Sequence, residues 1–393
     1  MAKLPNADWT KRADLAQLVA ILGAENLRWV GGVVRDTLLG SDVHDVDTAT
    51  TLLPDEVMER LKAAGIKPVP TGIDHGTVTA VLPEGNVEIT TLRKDVATDG
   101  RRATVAFASE WKDDAARRDF TINALFAHPE TLEISDYFGG LDDLAARRVR
   151  FIGDACERIR EDHLRILRYY RFQSRFGAEL DAKAEEACAE LASTLKGLSR
   201  ERVASELLNL LKTAAAPATL SRMHDQGVLQ VILPEVSAED IARFSSLVDE
   251  EAKQGFEPVE IRRMAALLPA DAKVREQVAA RLRLSNVQRK HLVRLAELDA
   301  AQVDTADAAR ALAYREGNSL AIDKLLIDGA DTSPLQGWEA PEFPLKGGEI
   351  VAHGVAAGPE VARILQAIEN RWIEERFPAR EAVLCMLEEE LAC

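Results

Sequence analysis

Val30-Gly31-Gly32-Val33-Val34-Arg35-Asp36, with Asp45-Val46-Asp47 about a dozen residues beyond the glycines, is the stretch on which the reading of this chain turns. Leu27–Val30 is a short apolar run that reads as a strand, and Val33–Leu39 reads as a helix. Two adjacent glycines between them let a backbone approach a triphosphate closely. The helix start offers free N–H groups, and Arg35 can pair with phosphate oxygens. Asp45-Val46-Asp47 lies in Val43–Ala49, which alternates like a strand. Positions i and i+2 of a strand face the same way, with Cα atoms about 6–7 Å apart. Two carboxylates so placed can hold a pair of Mg²⁺ ions, one activating an attacking hydroxyl and the other clamping a leaving pyrophosphate. Glu88, in Val87–Thr91, which reads as a strand, is a candidate third carboxylate from a neighbouring strand. Taken singly, Gly-Gly is more often a plain tight turn and Asp-x-Asp a solvated strand face; the combination carries the weight.

Working outward, residues 1–150 mix strand and helix signals. Ala13–Leu22 and Pro54–Ala64 have helical patterning, and Thr77–Leu82 and Val87–Thr91 read as a hairpin across Pro83-Glu84-Gly85-Asn86. Phe120–Phe126 reads as a helix and Leu132–Asp136 as a strand. Beyond residue 151 the strand signals fade. Arg158–Phe176, Ala182–Leu195, Glu201–Thr213, Pro217–Gln226 and Ser237–Leu247 have helical periodicity, and a Pro- and Gly-rich stretch, Pro334–Gly348, leads to a final helix from Gly358 to about Glu375. The class is α+β, with the sheet confined to the first part.

Four blocks now stand in order: Val30 to Gly40, Asp45-Val46-Asp47-Thr48-Ala49-Thr50, Arg117-Arg118-Asp119-Phe120-Thr121-Ile122-Asn123-Ala124, and Glu161-Asp162-His163-Leu164-Arg165-Ile166-Leu167-Arg168. Over roughly residues 25–210 the chain resembles the bacterial-type tRNA nucleotidyltransferases (class II CCA-adding enzymes) and their close relatives, the bacterial poly(A) polymerases. The resemblance implies a nucleotidyltransferase-type mixed-sheet head over 1–150, and an all-helical neck over 151–215 that recognises the base. It also implies a helical body over 216–335 and a helical tail over 336–393 that binds tRNA. It implies that Asp45 and Asp47 bind two Mg²⁺ ions, with Glu88 beside them. By the same resemblance Gly32, Arg35 and Arg118 contact the incoming nucleotide, and Asp119 and Asn123 shape the head site. The reaction implied is addition or repair of the 3′-terminal CCA of tRNA from CTP and ATP, with tRNA held at its acceptor end and elbow. Poly(A) polymerase, or a specialised CC-adding or A-adding enzyme, shares the motifs. So does a scaffold that has lost activity, against which the intact Asp45 and Asp47 speak.

Asp162, Arg165, Arg168 and Arg171 are three apart, and on one helix they would form a slowly winding ridge. A carboxylate can accept from the exocyclic amino group of cytosine or adenine while an arginine donates to the adjacent ring nitrogen. Uracil and guanine reverse both positions, so one Asp–Arg pair could admit C and A and reject U and G. On any charged helix the same spacing also gives plain ion pairs; the preceding head motifs tip the balance. Arg93–Asp114, with Lys94, Asp95, Asp99, Gly100, Arg101 and Arg102, has little apolar periodicity and reads as a loop; in the family such a loop helps switch from C to A addition. Ala103 stands where many relatives have Pro. Ser199-Arg200-Glu201-Arg202 with Glu206 reads as helix capping and neck support, and His224-Asp225 as incidental, since it lacks partners for a metal site.

The net charge of −16 taken alone argues against a nucleic-acid partner. Affinity for phosphates depends on where cations sit, and Arg147–Arg175 holds nine arginines against four acids, a basic stripe on an acidic body. The four cysteines (156, 188, 385, 393) form no C-x-x-C pair, which suits reduced thiols in the cytoplasm. Met1–Thr10 has no apolar core of a signal peptide, and no apolar run approaches the roughly 18 residues of a membrane span.

Overall fold

The computed structural model describes residues 2–43, 45–99, 102–298, 303 and 305–392. Gly100, Arg101 and His44 lie outside them. The chain divides into two compact units, Met1–Pro234 and Glu235–Cys393.

The first unit is built on strands β1 (Leu27–Val30), β2 (Val46–Thr50), β3 (Lys67–Gly72), β4 (Thr77–Val81), β5 (Val87–Thr91), β8 (Leu125–Ala127) and β9 (Ile134–Asp136), in the order β3-β4-β5-β2-β1-β8-β9; β6 (Arg93–Asp99) and β7 (Arg102–Phe107) form a separate hairpin. Neighbours in the large sheet run antiparallel except β2 and β5, which are parallel with Asp47 opposite Glu88. Parallel neighbours need a crossover, supplied here by the helix Pro54–Ala63 and the strands β3 and β4. Along β5 the alternation is clean: Val87 and Ile89 are buried and Glu88 is exposed. A one-residue slip would expose two apolar side chains, each contributing about 1.5–3 kcal/mol when buried, and would turn Glu88 inward. Hydrophobic burial therefore fixes the register that sets carboxylates side by side.

After the sheet the unit continues with helices Ala155–Glu161, Arg165–Phe176, Ala182–Glu190, Arg200–Leu211 and Ala216–Asp225. Aromatic rings join them to the sheet: Phe120 lies 4.9 Å from Phe151 and 5.3 Å from Phe172, and Phe151 stacks on Tyr169 at 5.8 Å. The regular elements described in the second unit are all helices, from Ala238–Gln254 to Arg380–Ala392. Ser237 caps its first helix in a reciprocal box with Asp240.

Four expectations need correction. Phe120–Phe126 is not a helix but a 3₁₀ turn, Thr121–Asn123, followed by β8. Phe126 and Ala127 pair with Val30 and Trp29, and sheet pairing of a β-prone segment outweighs helical patterning. Arg158–Phe176 is two helices, broken at Asp162, whose backbone is extended (φ −148°, ψ 104°). Its side chain accepts from the Leu164 N–H at 3.2 Å, giving the backbone an alternative to the helical ladder. Arg93–Asp114 is a β-hairpin and a short helix, Trp111–Ala116, rather than a loop. Finally, Gly358–Glu375 is not the last helix: Arg380–Ala392 follows, burying Val383, Met386 and Leu387. Its three successive glutamates, Glu388–Glu390, mask that 3-and-4 spacing.

Candidate active site

One cleft of about 730 Å³ in the first unit is lined by Gly31, Gly32, Arg35, Asp45, Asp47, Arg118, Asp119, Asn123, Asp162, Arg165, Arg168 and Arg171, together with Arg117, Leu164, Phe172 and Arg202. Every candidate residue named from the sequence is present except Glu88. Glu88 sits beside Asp47 in the parallel register but does not line the cleft. Asp45 precedes β2 and Asp47 lies within it, so the i, i+2 geometry carries both carboxylates to the same opening while Val46 points into the core. Gly31 takes φ +73°, and a Cβ there would lie 3.3 Å from Arg118 Nη1. Glycine thus allows both the turn and the close approach of a guanidinium.

The floor is a closed polar relay. Arg35, 4% exposed, donates from Nε to Asp36 at 2.8 Å and from Nη1 to Asn123 Oδ1 at 2.5 Å. Its guanidinium also packs over the rings of Phe176 (4.4 Å) and Phe172 (5.2 Å). Asn123 donates to Asp119 at 3.0 Å, Arg168 donates to the other Asp119 oxygen at 2.7 Å, and Glu206 takes Arg171 at 2.5 Å and Arg168 at 3.6 Å. Arg35 is therefore largely committed to joining the sheet region to the helices. Three of its five N–H groups have partners, leaving two for a ligand. Burial alone would raise the Asp119 carboxyl's pKa, but Arg168, Asn123 and the Phe120 N–H hold it below the ordinary carboxylate value.

Asp162 and Arg165 do not pair with one another. Asp162 accepts from Arg202 at 2.6 Å, whereas Arg165 is held by Glu161 at 2.6 Å and by the carbonyls of Arg158 (2.9 Å) and Arg117 (3.2 Å). The four-residue ridge is corrected accordingly: Asp162 stands at the helix break and Arg165, Arg168 and Arg171 continue on the helix. Arg165 keeps its Nε–H and one Nη2–H uncommitted in these contacts. Arg202, read from the sequence as neck support, is a cleft residue. Its signal was present in its place one turn before Glu206, on the same face. Ser199 does cap that helix, accepting from the Arg202 N–H. The basic stripe is also largely neutralised: Asp143 takes Arg148 and Arg150, Glu161 takes Arg158 and Arg165, and Asp36 takes Arg175 at 3.5 Å.

The carboxylate rim is the opposite of the floor. Asp45 and Asp47 make no ion pair among the described residues. Burial, then the charge of Glu88, raise the pKa of Asp47 above the ordinary value; Arg118 opposes them, and Asp45 adds to the repulsion. Neighbouring carboxylates that repel one another at a cleft suit a divalent cation, which would relieve both. Among the described residues no three His, Cys, Asp or Glu side chains close into a metal cage.

A paired-carboxylate rim beside a glycine turn on a mixed sheet, with arginines converging from helices, defines a nucleotidyltransferase. The chain matches the Poly A polymerase head domain over residues 27–150 and the probable RNA and SrmB-binding site of polymerase A over residues 177–239. It is 35% identical to CCA tRNA nucleotidyltransferase 1, mitochondrial, of Mus musculus, over 91% of this chain and 86% of that protein. It is 32% identical to the CCA-adding enzyme of Leuconostoc mesenteroides, over 87% and 86%. Its fold matches the crystal structure of the Bacillus stearothermophilus CCA-adding enzyme in complex with CTP, with a TM-score of 0.76 at 24% identity over 97% of this chain and 98% of that one. The chain belongs to the family of CCA-adding tRNA nucleotidyltransferases, whose chemistry depends on divalent metal.

Proposed function

We propose that the protein completes and repairs the 3′-terminal CCA of tRNA, joining CTP and ATP to the 3′ end with release of pyrophosphate, and that its own side chains stand in for a template. The observation that carries this reading is the single cleft shared by Asp45, Asp47 and the glycine turn on one side and by Asp162, Arg165 and Arg202 on the other. In this reading residues 1–150 form the head, 151–215 the neck, 216–335 the body and 336–393 the tail. Free thiols at Cys156, Cys188 and Cys385 suit a reducing compartment, and we place the protein in the cytoplasm. No helix among the described residues is long and apolar enough to cross a membrane.

Asp45 and Asp47 would hold two Mg²⁺ ions, with Glu88 reinforcing the negative field beside them. Bound there, the ions supply charge neutralisation for attack of the RNA 3′-hydroxyl on the α-phosphate of the incoming nucleotide. Gly31 and Gly32 let the phosphates approach the backbone, and Arg118 and the free N–H groups of Arg35 contact them. Asp162 accepts from the amino group of C or A, with its carboxylate aimed by Arg202. Arg165, aimed by Glu161, donates to the ring nitrogen. The Asp119–Asn123–Arg35 relay, with Arg168 and Arg171, keeps the reading residues in register with the carboxylates; catalysis is then mainly positioning and electrostatics.

The test is a set of tRNAs ending before the first C, after CC and after CCA, each offered CTP or ATP with Mg²⁺. Full activity gives CTP incorporation on the first, ATP on the second and arrest on the third. Continued adenylation past CCA would replace this reading with poly(A) polymerase. Activity on only one of the first two would assign a CC-adding or A-adding enzyme.

A further inference from the structure

We propose that a second pocket, lined by Arg171, Ser174, Arg175, Asn209, Lys212 and Thr213, holds backbone phosphates of the RNA being extended; this rests on the reading above. The pocket has a volume of about 500 Å³ and shares Arg171 with the candidate active site, so the two are continuous around that side chain. In a chain with 65 acidic and 49 basic residues, its lining holds three cations and not one carboxylate.

The placement follows from two helices that run side by side in the same direction. Arg202 meets Asp162 just before the start of Arg165–Phe176, Glu206 meets Arg171 near the middle, and Thr213 meets Ser174 by a hydroxyl–hydroxyl bond near the far end. Along this groove the polar chemistry changes. At the near end each cation has an acid facing it. At the far end the balance fails: Arg175 reaches Asp36 only at 3.5 Å with 42% of its side chain exposed, and the Lys212 amine makes no ion pair or hydrogen bond among the described residues. Asn209, Ser174 and Thr213 add neutral polar groups. A triphosphate is not the fitting occupant, because it must reach Asp45 and Asp47, which line the neighbouring cleft and not this pocket. An RNA whose 3′-hydroxyl lies at those aspartates must lead its preceding phosphates away, and this is the cationic exit from that cleft.

One competing account is local. Lys212 and Arg175 stand at the C-terminal ends of their helices, where cations offset the partial negative charge of unpaired carbonyls. The experiment separates the two. Lys212→Glu, Lys212→Ala and Lys212→Arg in the full chain are compared with Lys62→Glu, an equal charge change on the exposed side of the helix Pro54–Ala63. Affinity for a tRNA transcript lacking CCA is read by filter binding across salt concentrations, alongside KM for CTP and the melting temperature. Phosphate binding predicts that Lys212→Glu weakens tRNA binding about tenfold and Lys212→Ala about threefold, and that the slope of log affinity against log salt falls by about one. Lys212→Arg should bind as wild type, and KM for CTP should not move. Unchanged tRNA affinity with a lowered melting temperature, or equal weakening by Lys62→Glu, would overturn the inference. The binding arm stands whether or not the wild type incorporates CTP, so failure here is separate from failure of the proposed activity.

Discussion

The two units handle buried charge in opposite ways. In the second, Glu251 sits between Arg262 and Arg263 at 2.6 and 2.7 Å, Arg262 reaches Asp323 at 3.0 Å, and Asp323 meets His291 at 2.7 Å. Glu251, Arg262, Arg263 and Asp323 are each at most 4% exposed, and charge balances within the set. In the first unit the floor of the cleft is similarly closed, but at its rim Asp45 and Asp47 line the same opening, and neither makes an ion pair among the described residues. The contrast separates charge that specifies packing from charge held in reserve for a ligand. A protein keeps the second kind only where function requires it, since like charges side by side disfavour the folded state.

Removing charge should therefore have opposite consequences in the two places. The largest effect is expected for Asp45→Ala: nucleotide incorporation falls by about 10⁴-fold or more, equivalent to over about 5 kcal/mol of transition-state stabilisation, while tRNA binding persists. In metal-free buffer this variant and Asp47→Asn should melt no lower than wild type, because each removes repulsion. Retained turnover, or a large fall in melting temperature, would place these residues with the structural charges. Next comes Glu251→Ala, which removes the carboxylate shared by two buried arginines and should lower stability by about 3–5 kcal/mol. Denaturant melts of this variant would expose an error if the midpoint stayed put. Its kcat for CTP, measured well below its melting temperature, should be unaffected.

Between these extremes lies Arg202, which closes a contact yet faces the cleft. Arg202→Ala frees Asp162 to turn, so selection of CTP over UTP should fall by about 1–3 kcal/mol, or roughly five- to 150-fold. The readout is the ratio of kcat/KM for the two nucleotides. A purely structural Arg202 would lower both equally and leave the ratio intact.

How much of this was legible in the sequence follows from the same contrast. The rim was readable because its requirements are local: two glycines in a turn, and two carboxylates two residues apart on a strand. Five of the seven strands of the large sheet and most helix positions followed from period; Lys67–Gly72 and Leu125–Ala127 did not. What escaped was long-range pairing. Nothing within the run Glu161 to Arg168 says that Asp162 will take its partner from Arg202, forty positions on, or that Arg35 will spend most of its donors on Asp36 and Asn123. The nine arginines counted as a basic stripe carry less net charge than the count suggests for the same reason, since composition reports charges but not their partners. Glu88 shows the limit in the other direction: its strand and register were inferable, its position off the cleft was not.

The smallest expected effect tests whether the floor belongs with the closed charges. Asp119 has a carboxyl pKa held below its ordinary value, and below the value it takes when unfolded. Its ionised form therefore adds stability that is fully present above the unfolded pKa, about 3.9, and is lost as pH falls through the lower, folded one. At about pH 7 Asp119→Asn should melt below wild type, because Arg168 loses a charged partner; at about pH 3 the gap should narrow, because wild type has begun to lose the same interaction. Melting temperatures of the pair across that range decide it. A gap that stayed constant or widened in acid would mean that Asp119 contributes through shape rather than charge, and the floor of the cleft would then be held chiefly by the packing of Arg35 on Phe172 and Phe176.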